Sequence, residues 1–195
     1  RGGMALIINN KKNNNNKMMV QPLVLVGLVV ICLHACGAPQ GVEGKTIKFY
    51  LHQKFGVNEF GSVAAAVPAV PPTRNGVGLQ VVYNYPATKG ASNSSKSLGF
   101  VRGTSVVVNN TASSTVFFVT NVFHYDDGKN VGTFSQQGEA DFASGNPWEF
   151  AVVGGTGSFR NARGFNYGQV YSVTPVTNST PIIVTKYRAH LSFKG

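Results

Sequence analysis

The chain has 195 residues, 43% of them apolar and 12% charged, which is enough for one domain with a real core and too little for two. Its formal charge of +10 overstates the folded part, because four basic residues and no acids precede residue 38, leaving 13 basic against 7 acidic side chains, or +6. Those charges are scattered singly along the sequence, without the cluster that grips phosphates. Nucleic acid is therefore a poor candidate partner. An acidic polysaccharide surface suits a secreted basic protein better, and simple solubility accounts for the charge equally well.

Residues 1–37 read as a leader and 38–195 as the domain. Met18 to Gly37 is an apolar run of the length of a signal-peptide core, preceded by Lys11, Lys12 and Lys17 and followed by small residues suited to cleavage. Met18 or Met19 reads as the start. The run is short for a membrane span, so secretion without a membrane anchor is expected. Cys32 and Cys36 both lie in the leader, so the processed chain has neither disulfide nor thiol chemistry. Asn93, Asn109 and Asn178 each open an N-glycosylation triplet, and exposed turns are expected there.

After the leader no useful helical period occurs. Short runs of Val, Phe, Tyr and Thr alternate with Gly, Asn, Pro and Ser clusters, the pattern of an all-β sandwich or barrel. The predicted strands are Thr46 to His52, Gly78 to Tyr85, Ser97 to Val108 and Ser114 to Tyr125. Val131 to Gln136 and Glu139 to Phe142 follow, split at Gly138, and then Phe150 to Val153, Phe159 to Tyr171 and Ile182 to Phe193. Ala64 to Gly76, with three prolines, reads as a long irregular connection. About eight strands on short loops are best served by closing the sheet, so an eight-stranded antiparallel up-and-down barrel is expected.

The stretch V-V-G-G-T-G-S-F-R-N-A-R-G, Val152 to Gly164, admits two readings. As a dinucleotide site it would need a helix after the glycines and an acid about 20 residues on. No Asp or Glu follows Glu149, and too little chain remains for the parallel strands of such a domain. As a hairpin it needs only a glycine turn at Gly154, Gly155 and Gly157 between two apolar runs. The hairpin reading prevails, with Arg163 and Gly164 as structural members. His52, His124 and His190 lie far apart without ligand spacing and read as strand residues, so neither a metal nor another cofactor is expected.

Four segments together resemble the plant dirigent protein family: F-Y-L-H at Phe49 to His52, L-G-F-V-R-G at Leu98 to Gly103, the run from Val116 to Tyr125, and above all the glycine motif. The resemblance covers nearly everything from Lys45 to Phe193. It implies a lipocalin-like or allene-oxide-cyclase-like barrel, export to the cell wall, and a homotrimer. It also implies a pocket that holds phenoxy radicals or quinone methides of monolignols and directs their coupling, with an external laccase or peroxidase as radical source.

Departures fall on the pocket. Lignan-forming members read His-Asp after the first strand, where this chain has His52-Gln53, and Trp148 replaces an arginine six residues before Gly154. A second family acid is matched by Asp141 in G-E-A-D-F. An acid in an apolar barrel has a raised pKa and can protonate a quinone methide oxygen, so Asp141 is the expected acid. An exposed loop carboxylate is the equal alternative. Gln53, Trp148 and Val170 are the expected contacts for the guest, although a lone tryptophan is more often packing. Two other functions stay open: a wall-binding or defence protein with a vestigial pocket, and a small-molecule cyclase of the allene oxide cyclase type.

Overall fold

In the computed structural model the chain divides into two units, Arg1–Gly41 and Val42–Gly195, and the second is described at residues 43–67, 75–142, 145–176 and 179–193. The leader and Asn178 lie outside these residues. Among the described residues nine strands occur: β1 (Glu43–Lys54), β2 (Glu59–Val63), β3 (Gln80–Thr88), β4 (Ser97–Thr111), β5 (Ser114–Asp126), β6 (Val131–Asp141), β7 (Trp148–Gly157), β8 (Ala162–Val176) and β9 (Ser179–Phe193). From β3 onward each pairs antiparallel with the next. β1 pairs along its whole length with β9, and at Tyr50↔Thr88 and Leu51↔Ala87 with β3. That second pairing closes an eight-stranded barrel and removes the raw edges an open sheet would leave.

The β1–β3 seam is short, and β2 extends it. The chain leaves β1 through a turn at residues 55–58, then returns as β2 to pair with β3 at Glu59↔Tyr83 and Phe60↔Val82. β2 was not anticipated, because E-F-G-S-V is brief, contains a glycine and keeps most of its residues exposed. Its consequence is specific: it carries an acid to the barrel seam.

Two further boundaries differ from expectation for one physical reason. Glycines that read as breaks are instead positions of close approach. β6 is one strand through Gly138, where a Cβ would lie 3.0 Å from the Glu149 oxygen and from the Phe150 ring on β7. β7 likewise runs straight through Gly154 and Gly155 to Gly157. The reversal falls later, at 158–161, where Phe159, Arg160 and Ala162 amides donate to Thr156, Gly157 and Phe159 carbonyls. Phe159 is therefore a turn residue, not the start of a strand.

Asn161 closes that reversal with φ 61°, a left-handed conformation a short amide side chain tolerates better than an alkyl one. Asn161→Ala should cost roughly 1 kcal/mol. That corresponds to about 2–4 °C in the unfolding midpoint of a domain this size. Asn161→Gly should match or exceed the parent in a thermal melt; equal losses in both would exclude backbone strain as the cause.

The interior divides into two parts. Toward the 158–161 turn it is filled by rings: Phe123 meets Phe49 at 4.6 Å, Phe134 at 5.2 Å and Tyr125 at 5.4 Å, and Phe159 closes on Tyr125 and Phe134. Phe49, Phe123, Phe134 and Phe159 are wholly buried. Asn166 donates to Gln136 at 2.7 Å within the same interior, which keeps the partner-hungry amides paired at one atom each. Toward the other end the interior is open.

Candidate functional site

The open end holds a cavity of about 280 Å³, lined from seven of the eight barrel strands together with β2 and the loops after β2 and β6. Its position follows from antiparallel pairing. The late residues of β1, β4 and β8 and the early residues of β5, β7 and β9 all face the same end. Tyr187 stacks on Phe49 of the ring-filled half at 5.1 Å, and Leu51, Phe117, Val119, Phe150, Val170, Val173 and Ile183 give apolar walls. Inward alternation on each strand makes this surface.

Polar groups are few and placed. Gln53 donates its amide N–H to Thr185 Oγ1 at 2.9 Å. Asn121 donates to the Tyr83 hydroxyl at 3.1 Å, while its own Oδ1 is buried without a partner among the described residues. Tyr83 and Tyr85 stack at 4.4 Å on β3. Glu59, delivered by β2, lines the same cavity, with the Tyr85 hydroxyl as a polar neighbour that favours its charged form.

Burial sets the protonation of this group. Desolvation raises the Glu59 carboxyl above the ordinary 4.5, and the Tyr85 hydroxyl opposes it only in part. Burial first, then the Glu59 charge, drives Tyr85 well above the usual phenol value. Burial also lifts Tyr187 to about 12 and raises Tyr83. The phenols thus stay protonated at neutral pH and act as donors, and the carboxyl is biased toward its acid form.

The expected site residues separate into groups. Gln53 and Val170 line the cavity. Trp148 stands behind its wall: it is buried, with its ring edge-on to Phe142 at 4.8 Å and 6.0 Å from Tyr187, both of which line the space. Asp141 lies outside the lining. Its carboxylate accepts from Ser114 Oγ at 2.7 Å and from the Thr115 amide at 3.4 Å, near the β4–β5 reversal.

The remaining sequence features lie away from the cavity. Arg163 donates to its neighbour's carbonyl at Ala162 (2.8 Å), and its guanidinium passes near Gly154 on the paired β7. Gly164 has φ 137° and sits where a Cβ would overlap the His190 carbonyl. Asn93 and Asn109 are exposed, but only Asn93 lies in a turn as expected, because β4 runs on through Asn109 to Thr111. The three histidines fall on separate contacts: His52 with Thr88 at 2.7 Å, His124 on the Phe100 ring, and His190 against Phe165.

Glu59 is the residue the sequence reading missed. One signal was present: between Glu43 and Asp126 it is the only acidic residue. A solitary carboxylate in a stretch of about 80 residues whose other charges are all basic is worth noticing, but nothing local says which way it faces.

Comparison with known proteins agrees with this architecture. The family model described as dirigent-like protein matches residues 45–191. No curated protein matches the chain by sequence. Among solved structures, the pterocarpan synthase dirigent protein PsPTS1 superposes with a TM-score of 0.67 at 24% identity, covering 80% of this chain and 99% of that one. A second pterocarpan synthase dirigent protein, GePTS1, gives 0.64 at 22% identity, covering 80% and 96%. A heme-binding cyclase that catalyses a [4 + 2] cycloaddition in neoabyssomicin biosynthesis gives 0.52 at 13%, covering 95% and 85%. With the family model spanning three-quarters of the sequence and the closed barrel it requires in place, the chain belongs to the dirigent-like protein family.

Proposed function

We propose that this dirigent-type protein takes one phenolic guest, a phenoxy radical or a quinone methide, into the open half of its barrel and fixes the face on which the next bond forms. The observation that carries the reading is the Glu59 carboxyl, biased toward its protonated form, inside an aromatic-walled cavity of about 280 Å³. A dry cavity of roughly 150 Å³ holds benzene, and ordinary ligand sites begin at about 300 Å³. The space therefore suits one substituted ring with a short side chain, not two.

Selectivity comes from orientation. A guest stacked along Tyr83, Tyr85 and Phe117 presents one face to the mouth and the other to the wall, so attack from solvent is one-sided. For a quinone methide, Glu59 gives its proton to the guest's carbonyl oxygen, which becomes a phenol as the methide carbon becomes electrophilic. A hydroxyl of the same guest or of a second molecule adds to that carbon and returns a proton to the Glu59 carboxylate. Atoms and charge balance without net oxidation. For a radical, the one-electron step belongs to a separate laccase or peroxidase. Export through the leader and a homotrimeric assembly complete the proposal.

Coniferyl alcohol oxidised by a laccase, with and without the protein, tests the radical arm by chiral chromatography of the coupled products. A hydroxylated benzylic alcohol that loses water to a quinone methide tests the other. An excess of one enantiomer in either mixture is expected; racemic products in both would overturn the reading and favour a binding role without stereocontrol.

A further inference from the structure

The basic residues are not scattered in space as they are in sequence. Of the seven lysines among the described residues, five gather around one cleft of about 340 Å³ at the barrel end opposite the aromatic cavity: Lys45, Lys48, Lys89, Lys96 and Lys129. They come from β1, from the two ends of the β3–β4 loop, and from the β5–β6 turn. Closure of the barrel at the β1–β3 seam is what places them side by side, so no sequence window contains the cluster.

Asp127 is the acid in this lining, and it is occupied locally. Its carboxylate accepts from the Lys129 and Asn130 amides at 2.9 and 2.7 Å and from the Tyr125 hydroxyl at 2.9 Å, which holds it far below the usual carboxylate range. Lys96 reaches the Asp127 backbone carbonyl at 2.7 Å, and Lys45 lies over the Phe159 ring at 5.2 Å. Among the described residues none of the five ammonium groups pairs with a carboxylate. Like charges held together this way repel and cost the fold stability.

We infer that this cleft is a docking site for an anionic polysaccharide bearing carboxylates along its chain, a polyuronate, which seats the barrel with its aromatic cavity facing away. Charge complementarity carries the assignment, and the side-chain types narrow it. All five cations are lysines, compact charges without the planar fork with which arginine grips phosphate. The rings at the cleft offer no stacking face for a base: Tyr125 is buried with its hydroxyl engaged, and Phe159 is wholly buried beneath Lys45. Exposed charge without aromatic platforms fits a string of sugar carboxylates. The inference stands on these lysines alone and is independent of what the cavity does.

Retention of the full chain on immobilised polygalacturonate, on its methyl ester and beside single-stranded DNA provides the test, read as a dissociation constant at about 0.15 M salt. Polygalacturonate should bind, the neutral ester should not, and DNA should bind more weakly. Lys48→Gln, Lys89→Gln and Lys129→Gln together should weaken polygalacturonate binding about tenfold or more, as three modest exposed contacts do. Lys54→Gln, Arg102→Gln and Lys186→Gln remove the same charge outside the cleft lining and should leave it within about twofold. Equal losses in the two triple variants would overturn the site in favour of diffuse charge, and tighter binding of DNA would overturn the ligand class. Each single lysine variant should show part of the loss, which keeps the test decisive if the triple variant folds poorly.

Discussion

Gly155→Ala should lower the unfolding midpoint by about 10 °C or more, or prevent folding, whereas Gly154→Ala, one residue away, should shift it by no more than about 2 °C. The two glycines look identical in the sequence. In the barrel a Cβ on Gly155 would overlap the Phe159 carbonyl, lie 2.6 Å from the Thr133 carbonyl and 2.9 Å from Phe159 Cβ. None of these is the free end of a flexible side chain. Thr133 sits in the β6–β7 ladder beside Phe134↔Gly155, and Phe159 is wedged against Tyr125 and Phe134. Relief requires breaking the ladder or lifting the wholly buried Phe159 out of the core, each a matter of several kcal/mol.

At Gly154 the nearest atom to a new Cβ is the Arg163 guanidinium nitrogen at 3.8 Å, ordinary contact, and neither glycine has a left-handed φ. Alanine there even restricts the unfolded chain, worth about 0.4–1 kcal/mol in favour of folding. Thermal melts of the two variants side by side decide the matter. Equal losses would mean that the motif acts as a flexible turn after all, contrary to the course of β7.

That contrast also shows what the sequence could reveal. Strand composition and turn clusters made the closed antiparallel barrel legible, because period-two burial and edge avoidance are written along each segment. The glycine motif was legible as a signature and illegible as a mechanism. Whether a glycine turns the chain or admits a neighbour depends on the opposite strand, and Thr133 lies 22 residues from Gly155. The lysine cleft was hidden for the same reason, since Lys45 and Lys129 become neighbours only across the closed seam and the β5–β6 turn. Gln53 and Val170 followed from the family resemblance. Glu59 did not, because its strand is five residues long and exists only as an extension of the β1–β3 contact.

Glu59→Gln should abolish most of the product handedness while improving stability at neutral pH, a combination a merely structural carboxylate would not give. Positioned proton transfer contributes about 10²–10⁴-fold to a step. Removing it lets the uncatalysed, unselective reaction in solution compete. The pH dependence has a definite sign. Glu59 is raised above 4.5 by desolvation, so its contribution to stability is full below that value and drains away as pH climbs through the folded-state pKa. Stereoselectivity of the quinone methide reaction should fall over the same interval, because the proton donor is lost. Glutamine keeps the shape and one hydrogen-bonding oxygen toward Tyr85 but cannot ionise, so both profiles should flatten, with the variant's melting point above the parent's at pH 8 and not at pH 4. Asp141→Asn is the companion measurement: the Asp141 carboxylate holds Ser114 and the Thr115 amide outside the cavity lining, so this variant should lose modest stability and keep its product bias. Retained handedness in Glu59→Gln together with racemic product from Asp141→Asn would reverse the assignment and move the proton source to the end of β6.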